Sequence, residues 1–142
     1  MPKHSIHLTD SPQSGDIESI SRSLNEFNIQ KTGIDDVRPI AVLIKDPETG
    51  KVIGGLTGRT SLGLLFVDLF YIPAALRGEG LGSRILGEAE AEAIARGCRG
   101  AVLYTINFQA PEFYLRHGWR VFGDVPCEPA GSSRVFMRKD LV

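Results

Sequence analysis

Arg77-Gly78-Glu79-Gly80-Leu81-Gly82 decides how this chain is read, because of what flanks it. On its N-terminal side, Leu64-Leu65-Phe66-Val67-Asp68-Leu69-Phe70-Tyr71-Ile72 is dense in residues that favour strands. On its C-terminal side, apolar residues recur at helical spacing from Leu81 to Ala95. A strand therefore feeds a glycine-rich turn, and the turn opens a helix. The first backbone N–H groups of a helix have no intrahelical acceptor. Glycines remove the side chains that would keep a ligand away from them. Such a turn binds phosphate or pyrophosphate through its backbone, with Arg77 available for added charge.

Working outward, Ser5 to Leu8 reads as a short strand. Asp16 to Gln30 reads as a helix, with Ile17, Ile20, Leu24 and Phe27 on one face and Ser14 or Asp16 as its cap. Arg38 to Ile44 and Lys51 to Thr60 read as the arms of a hairpin around Asp46-Pro47-Glu48-Thr49-Gly50. In the helix after the glycine turn, Leu81, Ile85, Ala89 and Ala93 share a face, and Glu88, Glu90, Glu92 and Arg96 are expected toward solvent. Ala101 to Ile106 reads as a buried strand, with Tyr104 packed inside it. Pro111 to His117 reads as a short helix. Trp119 to Phe122 and Arg134 to Arg138 read as closing strands around a Val125–Ser133 loop. Hairpins first, then strands around a central helix, predict a mixed α/β sheet with helices on both faces, not an all-parallel one.

Composition bounds the function. The 142 residues are read as one domain, 1–142, long enough to bury a real core. A net charge of -1 argues against nucleic-acid binding through general electrostatics. No apolar run approaches the ~18 residues of a membrane span. Met1-Pro2-Lys3-His4-Ser5 shows no apolar leader, and Cys98 and Cys127 read as free thiols, so a cytoplasmic location is expected. The cysteines and the three histidines have no metal spacing, so no metal is expected.

Three phosphate-binding patterns compete for the turn. A G-x-x-x-x-G-K-[ST] loop fails because no lysine follows Gly82. A dinucleotide fingerprint fails on spacing, with Ser83 where a third glycine belongs, and no acid follows Tyr104-Thr105-Ile106-Asn107. A purely structural turn would need glycine at one or two positions, not at 78, 80 and 82 together.

Arg77-Gly78-Glu79-Gly80-Leu81-Gly82 does match the R/Q-x-x-G-x-G/A motif of GNAT-type N-acetyltransferases. Asn107-Phe108-Gln109-Ala110-Pro111-Glu112-Phe113-Tyr114-Leu115-Arg116-His117-Gly118-Trp119 resembles that family's N-x-x-A-x-x-x-Y-x-x-x-G-F segment, with Trp119 in place of phenylalanine. The chain looks most like the small single-domain bacterial members. The resemblance implies a mostly antiparallel mixed sheet with a splay between two parallel strands, Leu64–Ile72 and Ala101–Asn107. It implies acetyl-CoA as cosubstrate, its pyrophosphate on the backbone of Arg77, Gly78, Glu79, Gly80, Leu81, Gly82 and Ser83. The pantetheine arm would pair with the backbone of Phe70 and Ile72 and be hydrogen-bonded by Asn107.

Acetyl transfer from a thioester to an amine requires deprotonation of the amine, stabilisation of an oxyanion and protonation of a thiolate. Backbone N–H groups at the splay serve the second need. Tyr114 matches the family tyrosine that acts as general acid near the sulfur. Asp68, alone in an apolar strand, is the candidate base, because burial would raise its pKa; its alternative role is a structural partner for Arg59. Neither histidine nor cysteine stands at a matched position, so direct transfer without an acetyl-enzyme is expected. The reading is an N-acetyltransferase acting on a primary amine of a small molecule or protein. Its rival is a non-catalytic acyl-CoA-binding sensor or partner module. The expected partner is the acceptor amine, with a homodimer admissible and neither nucleic acid nor membrane involved.

Overall fold

The Asp46–Gly50 segment turns the chain through hydrogen bonds of its own. Asp46 Oδ1 accepts the N–H groups of Glu48 and Thr49 at 2.8 and 3.2 Å, and the Gly50 N–H closes on the Asp46 carbonyl at 2.8 Å. The flanking arms, β1 (Arg38–Lys45) and β2 (Val52–Ser61), pair antiparallel across it. In this computed structural model, which describes residues 3–142, the chain divides into two compact units, Met1–Asp35 and Asp36–Val142.

The first unit carries one helix, α1 (Asp16–Thr32). Its cap is Gly15, not Ser14 or Asp16; the Asp16 carboxylate instead accepts the Gln13 N–H at 2.7 Å. Gly33 ends it in the left-handed region, its N–H on the Ile29 carbonyl at 2.7 Å. Ser5–Leu8 is not a strand. Its alternation is real, but a strand needs a ladder partner, and this unit offers no second strand among its described residues.

The second unit is a six-stranded mixed sheet in the order β1-β2-β3-β4-β6-β5, with β3 (Leu64–Tyr71), β4 (Gly100–Ile106), β5 (Arg120–Pro126) and β6 (Ser133–Asp140). All neighbours pair antiparallel except β3 and β4, which α2 (Leu81–Ala95) connects as a parallel crossover. β5 begins one residue later than expected and runs four residues further, and Pro126 is tolerated because β5 is an edge strand.

The core lies under α2. Ile85, Leu86, Ala89 and Ala93 are its buried face, packed with Leu56 and Leu65 of the sheet and with Trp119 and Met137. The alanines let the helix approach the strands closely. Glu90 is not on the solvent face: its side chain, 13% exposed, accepts the Trp119 indole N–H at 3.2 Å and the Lys139 ammonium at 2.5 Å. At the far end of α2, Arg96 bonds Glu92 at 2.7 Å, the Pro39 carbonyl at 3.0 Å and Thr60 Oγ1 at 3.1 Å. α3 (Pro111–Arg116) places Tyr114 in the same core.

Candidate active site

The site begins with a slip in the β2–β3 ladder. Thr57 faces Leu69 but its successor Gly58 faces Val67, so Asp68 is an extra residue on β3. Such a bulge bends its strand and sharpens the local twist. Gly58 makes it feasible, since a Cβ there would run into the Phe66 carbonyl oxygen. Before the bulge Leu65 and Val67 point into the core; after it Phe70 does, meeting Phe113 at 5.9 Å and Tyr114 at 6.2 Å between ring centroids. Asp68 and Leu69 are consecutive and both exposed.

The parallel pairing of β3 with β4 stops just ahead of this point. It covers Leu64–Gly100, Leu65–Ala101 and Phe66–Val102 only. Beyond it the strands part, and a cavity of about 830 Å³ opens between Val67–Ile72 and Leu103–Ile106, with Phe113 and Tyr114 of α3 on its wall. This is the splay that the sequence led us to expect.

At one end of the cavity lies the glycine turn. Gly80 holds φ +77° as the cap of α2, a conformation open to glycine at no steric cost. The first helical bond runs from the Arg84 N–H to the Gly80 carbonyl at 3.1 Å. The N–H groups of residues 78–83 make no hydrogen bond to any described residue. Six consecutive donors at a helix N-terminus suit a diphosphate. Glu79 sits among them without an ion pair to a described residue. Gly82 has a second reason to be glycine: a Cβ there would stand 3.0 Å from Ile72 Cδ1 and 3.3 Å from the Phe113 ring.

Several expected residues are placed differently than the sequence implied. Arg77 donates Nε–H to the Ile72 carbonyl at 2.9 Å, so that carbonyl already carries one hydrogen bond from within the chain. Asn107 is spent on the β6 side: its Nδ2 donates to the Gly131 carbonyl at 3.0 Å and its Oδ1 accepts the Ser133 N–H at 3.2 Å. It clamps a loop, and its amide is not offered to the cavity. Asp68 is not buried; its side chain is 53% exposed and bonded to Arg59 at 3.3 Å. Alternation along β3 is the cause: Leu65 and Val67 face the core, so Asp68 faces out, and the bulge then turns Leu69 outward beside it. Tyr104 is 54% exposed, not packed in the core, and rests on Phe136 at 5.6 Å.

Tyr114 lines the cavity. Its ring is buried against Phe70, Phe113 and Trp119. Its hydroxyl bonds no described residue, yet no buried side-chain polar atom among the described residues lacks a partner, so the hydroxyl opens into the cavity. Burial pushes its pKa up to about 12, which keeps the phenol protonated. One link escaped the sequence reading altogether. Ser83 Oγ and His117 Nε2 lie 2.9 Å apart, tying the start of α2 to the end of α3, with the imidazole against Phe113 at 4.7 Å. Residues 34 apart carry no spacing signal; only the fold brings them together.

Residues 8–119 match the model of the acetyltransferase (GNAT) family. An acetyltransferase of Agrobacterium fabrum is 34% identical over 122 residues, covering 86% of this chain and 88% of that protein. Blasticidin-S acetyltransferase of Streptomyces morookaense is 38% identical over 116 residues, covering 80% of this chain and 85% of that protein. The crystal structure of an Agrobacterium tumefaciens acetyltransferase superposes with a TM-score of 0.86 at 32% identity, over 96% of this chain and 99% of that one. With the splayed strands, the open amides and these relatives together, the chain belongs to the GNAT acetyltransferase family and is an acetyl-CoA-dependent acyltransferase.

Proposed function

We propose that this protein is an N-acetyltransferase that moves the acetyl group of acetyl-CoA directly to a primary amine. The observation that carries the reading is the run of unpaired amides at residues 78–83, opening onto a cavity that ends at the Tyr114 hydroxyl. The amides hold the pyrophosphate, with Arg77 adding charge. The pantetheine arm lies in the splay along Phe70. When bound, acetyl-CoA supplies the activated acetyl group and a thiolate leaving group. The bulge interrupts the β2–β3 ladder at Asp68, and a β3 backbone amide freed there would donate to the oxyanion. Tyr114 holds a proton at every working pH and donates it toward the leaving sulfur.

The amine must arrive from the other side of the sheet and lose a proton. Asp68 stands there, exposed and paired with Arg59, so the argument from burial for its acting as the base falls away. Its role is to draw the ammonium to the mouth, and the proton leaves through water. Blasticidin-S, for which the Streptomyces relative is named, is the first acceptor to try.

The test uses acetyl-CoA itself. Ligand at 100 times its Kd stabilises a protein by about 2.7 kcal/mol, so acetyl-CoA should raise the melting temperature where NAD and ATP do not. Gly80→Asp should abolish that shift. A Cβ at Gly80 meets nothing within 4 Å, and aspartate is among the residues best tolerated at positive φ, so the fold survives while a carboxylate enters the amide cradle. Thiol release from acetyl-CoA in the presence of blasticidin-S and a panel of amines reads the transfer. Equal stabilisation by NAD would sink the reading.

A further inference from the structure

Three charged side chains line the cavity: Asp68, Arg77 and Arg134. Arg77 is held by the Ile72 carbonyl and Asp68 by Arg59. Arg134 makes no ion pair and no side-chain hydrogen bond to any described residue, and its guanidinium carbon stands 5.8 Å from the centre of the Tyr104 ring. A guanidinium on the wall of a cavity with its whole donor fork unused is a carboxylate receptor by its chemistry.

Register shows that these groups share one face of the sheet. Phe66 is level with Val102 on β4, and along β4–β6 Tyr104 pairs with Phe136 and Ile106 with Arg134. Arg59 stacks on Phe66 at 4.3 Å and carries Asp68 with it. The face opposite α2 therefore presents a carboxylate on β3, a guanidinium on β6, and between them the half-exposed Tyr104 ring backed by Phe136. Asp68 Oδ2 is bonded to no described residue. The arrangement is the complement of a zwitterion: an ammonium toward Asp68, a carboxylate toward Arg134, and a flat apolar body over Tyr104.

We propose that the acceptor is an amine that also bears a carboxylate, an amino acid or a compound built on one, and that Arg134 is the residue that selects it. The proposal rests on the acetyltransferase reading above but concerns the mouth opposite the amides. Its test compares phenylalanine and tryptophan with their methyl esters, which keep the amine and lose the carboxylate, and with phenethylamine and tryptamine. Binding is measured to the protein alone and to the protein saturated with CoA, and kcat/KM by thiol release. The carboxylated member of each set should be preferred by about tenfold or more, the usual reach of a charge-assisted pair. Arg134→Gln should erase that preference, and Arg134→Lys should restore part of it. Both variants should keep the melting temperature and the acetyl-CoA affinity of the parent, because Arg134 is exposed and its side chain bonds no described residue, the turn at 78–83 included. Carboxylates that bind no better than their esters and amines would overturn the proposal, as would a preference that survives Arg134→Gln. A protein that ignores acetyl-CoA while still preferring the carboxylates would overturn the acetyltransferase reading, and with it the acceptor role, leaving Arg134 as a carboxylate-binding residue only.

Discussion

Tyr114 keeps its ring in the core and its hydroxyl in the cavity, and the two halves of that statement have separate consequences. The ring fixes the position of the phenol through three aromatic neighbours. The hydroxyl, with its pKa pushed up to about 12, is a secure proton carrier but a weaker acid than an exposed tyrosine. Tyr114→Phe should leave acetyl-CoA affinity unchanged and lower turnover by about 10²-fold, the low end for a general acid. An unchanged kcat on a good acceptor would make Tyr114 a core residue only. At this scale the sequence was legible where a residue's position follows from its own motif: Tyr114 lines the cavity and Gly80 caps α2. It was illegible for Asp68, whose expected burial took the apolar run of β3 as buried on both faces, when only Leu65 and Val67 ahead of it are buried. It was illegible also for Asn107, whose amide is used by Gly131 and Ser133, 24 and 26 positions away.

Among the elements, β3 does the most. Its bulge inserts one residue and thereby puts Asp68 and Leu69 on the same side, while Val67 and Phe70 both still face the core. Removing Asp68 altogether would leave Leu65, Val67 and Phe70 at strict alternation on the core side. The deletion variant should therefore fold, with a melting temperature near that of the parent. Without the bend its ladder to β4 can continue, so the acetyl-CoA-induced rise in melting temperature should disappear. A deletion variant that still responds to acetyl-CoA would show that the splay has another origin. Apolar patterning together with the turn signals between elements located α2 to the residue and β1, β2, β3 and β6 to within two. It could not show the bulge, which breaks the pattern by one residue, nor extend β5, whose residues are almost all exposed and carry no burial pattern.

For the chain as a whole, two titratable groups among the described residues, Tyr114 and Cys98, have their charged forms disfavoured by burial. Burial raises Tyr114 from its ordinary 10.0 to about 12. Burial also pushes the Cys98 thiol up, against an opposing pull from the Arg96 guanidinium. A raised folded pKa gives stability that is complete below the unfolded value and is lost as pH climbs toward the folded one. For Tyr114 that window runs from pH 10 to about 12 and amounts to on the order of 3 kcal/mol. The melting temperature should fall across that range, and Tyr114→Phe should flatten the fall; an identical fall in the variant would contradict the assignment. The fold class was legible at this scale because the turn and the Asn107–Trp119 segment fix the order of elements around them. The Ser5–Leu8 strand was misread because alternation says nothing about whether a partner exists. Arg96 bears on affinity in a way its distance from the cavity conceals. By pinning the remote end of α2 to Pro39 and Thr60, it makes the helix a beam anchored in the hairpin. The amides at the free end are thus aligned before any ligand arrives. The loss of freedom needed to align them has been met in folding, and little of it remains to be charged against binding.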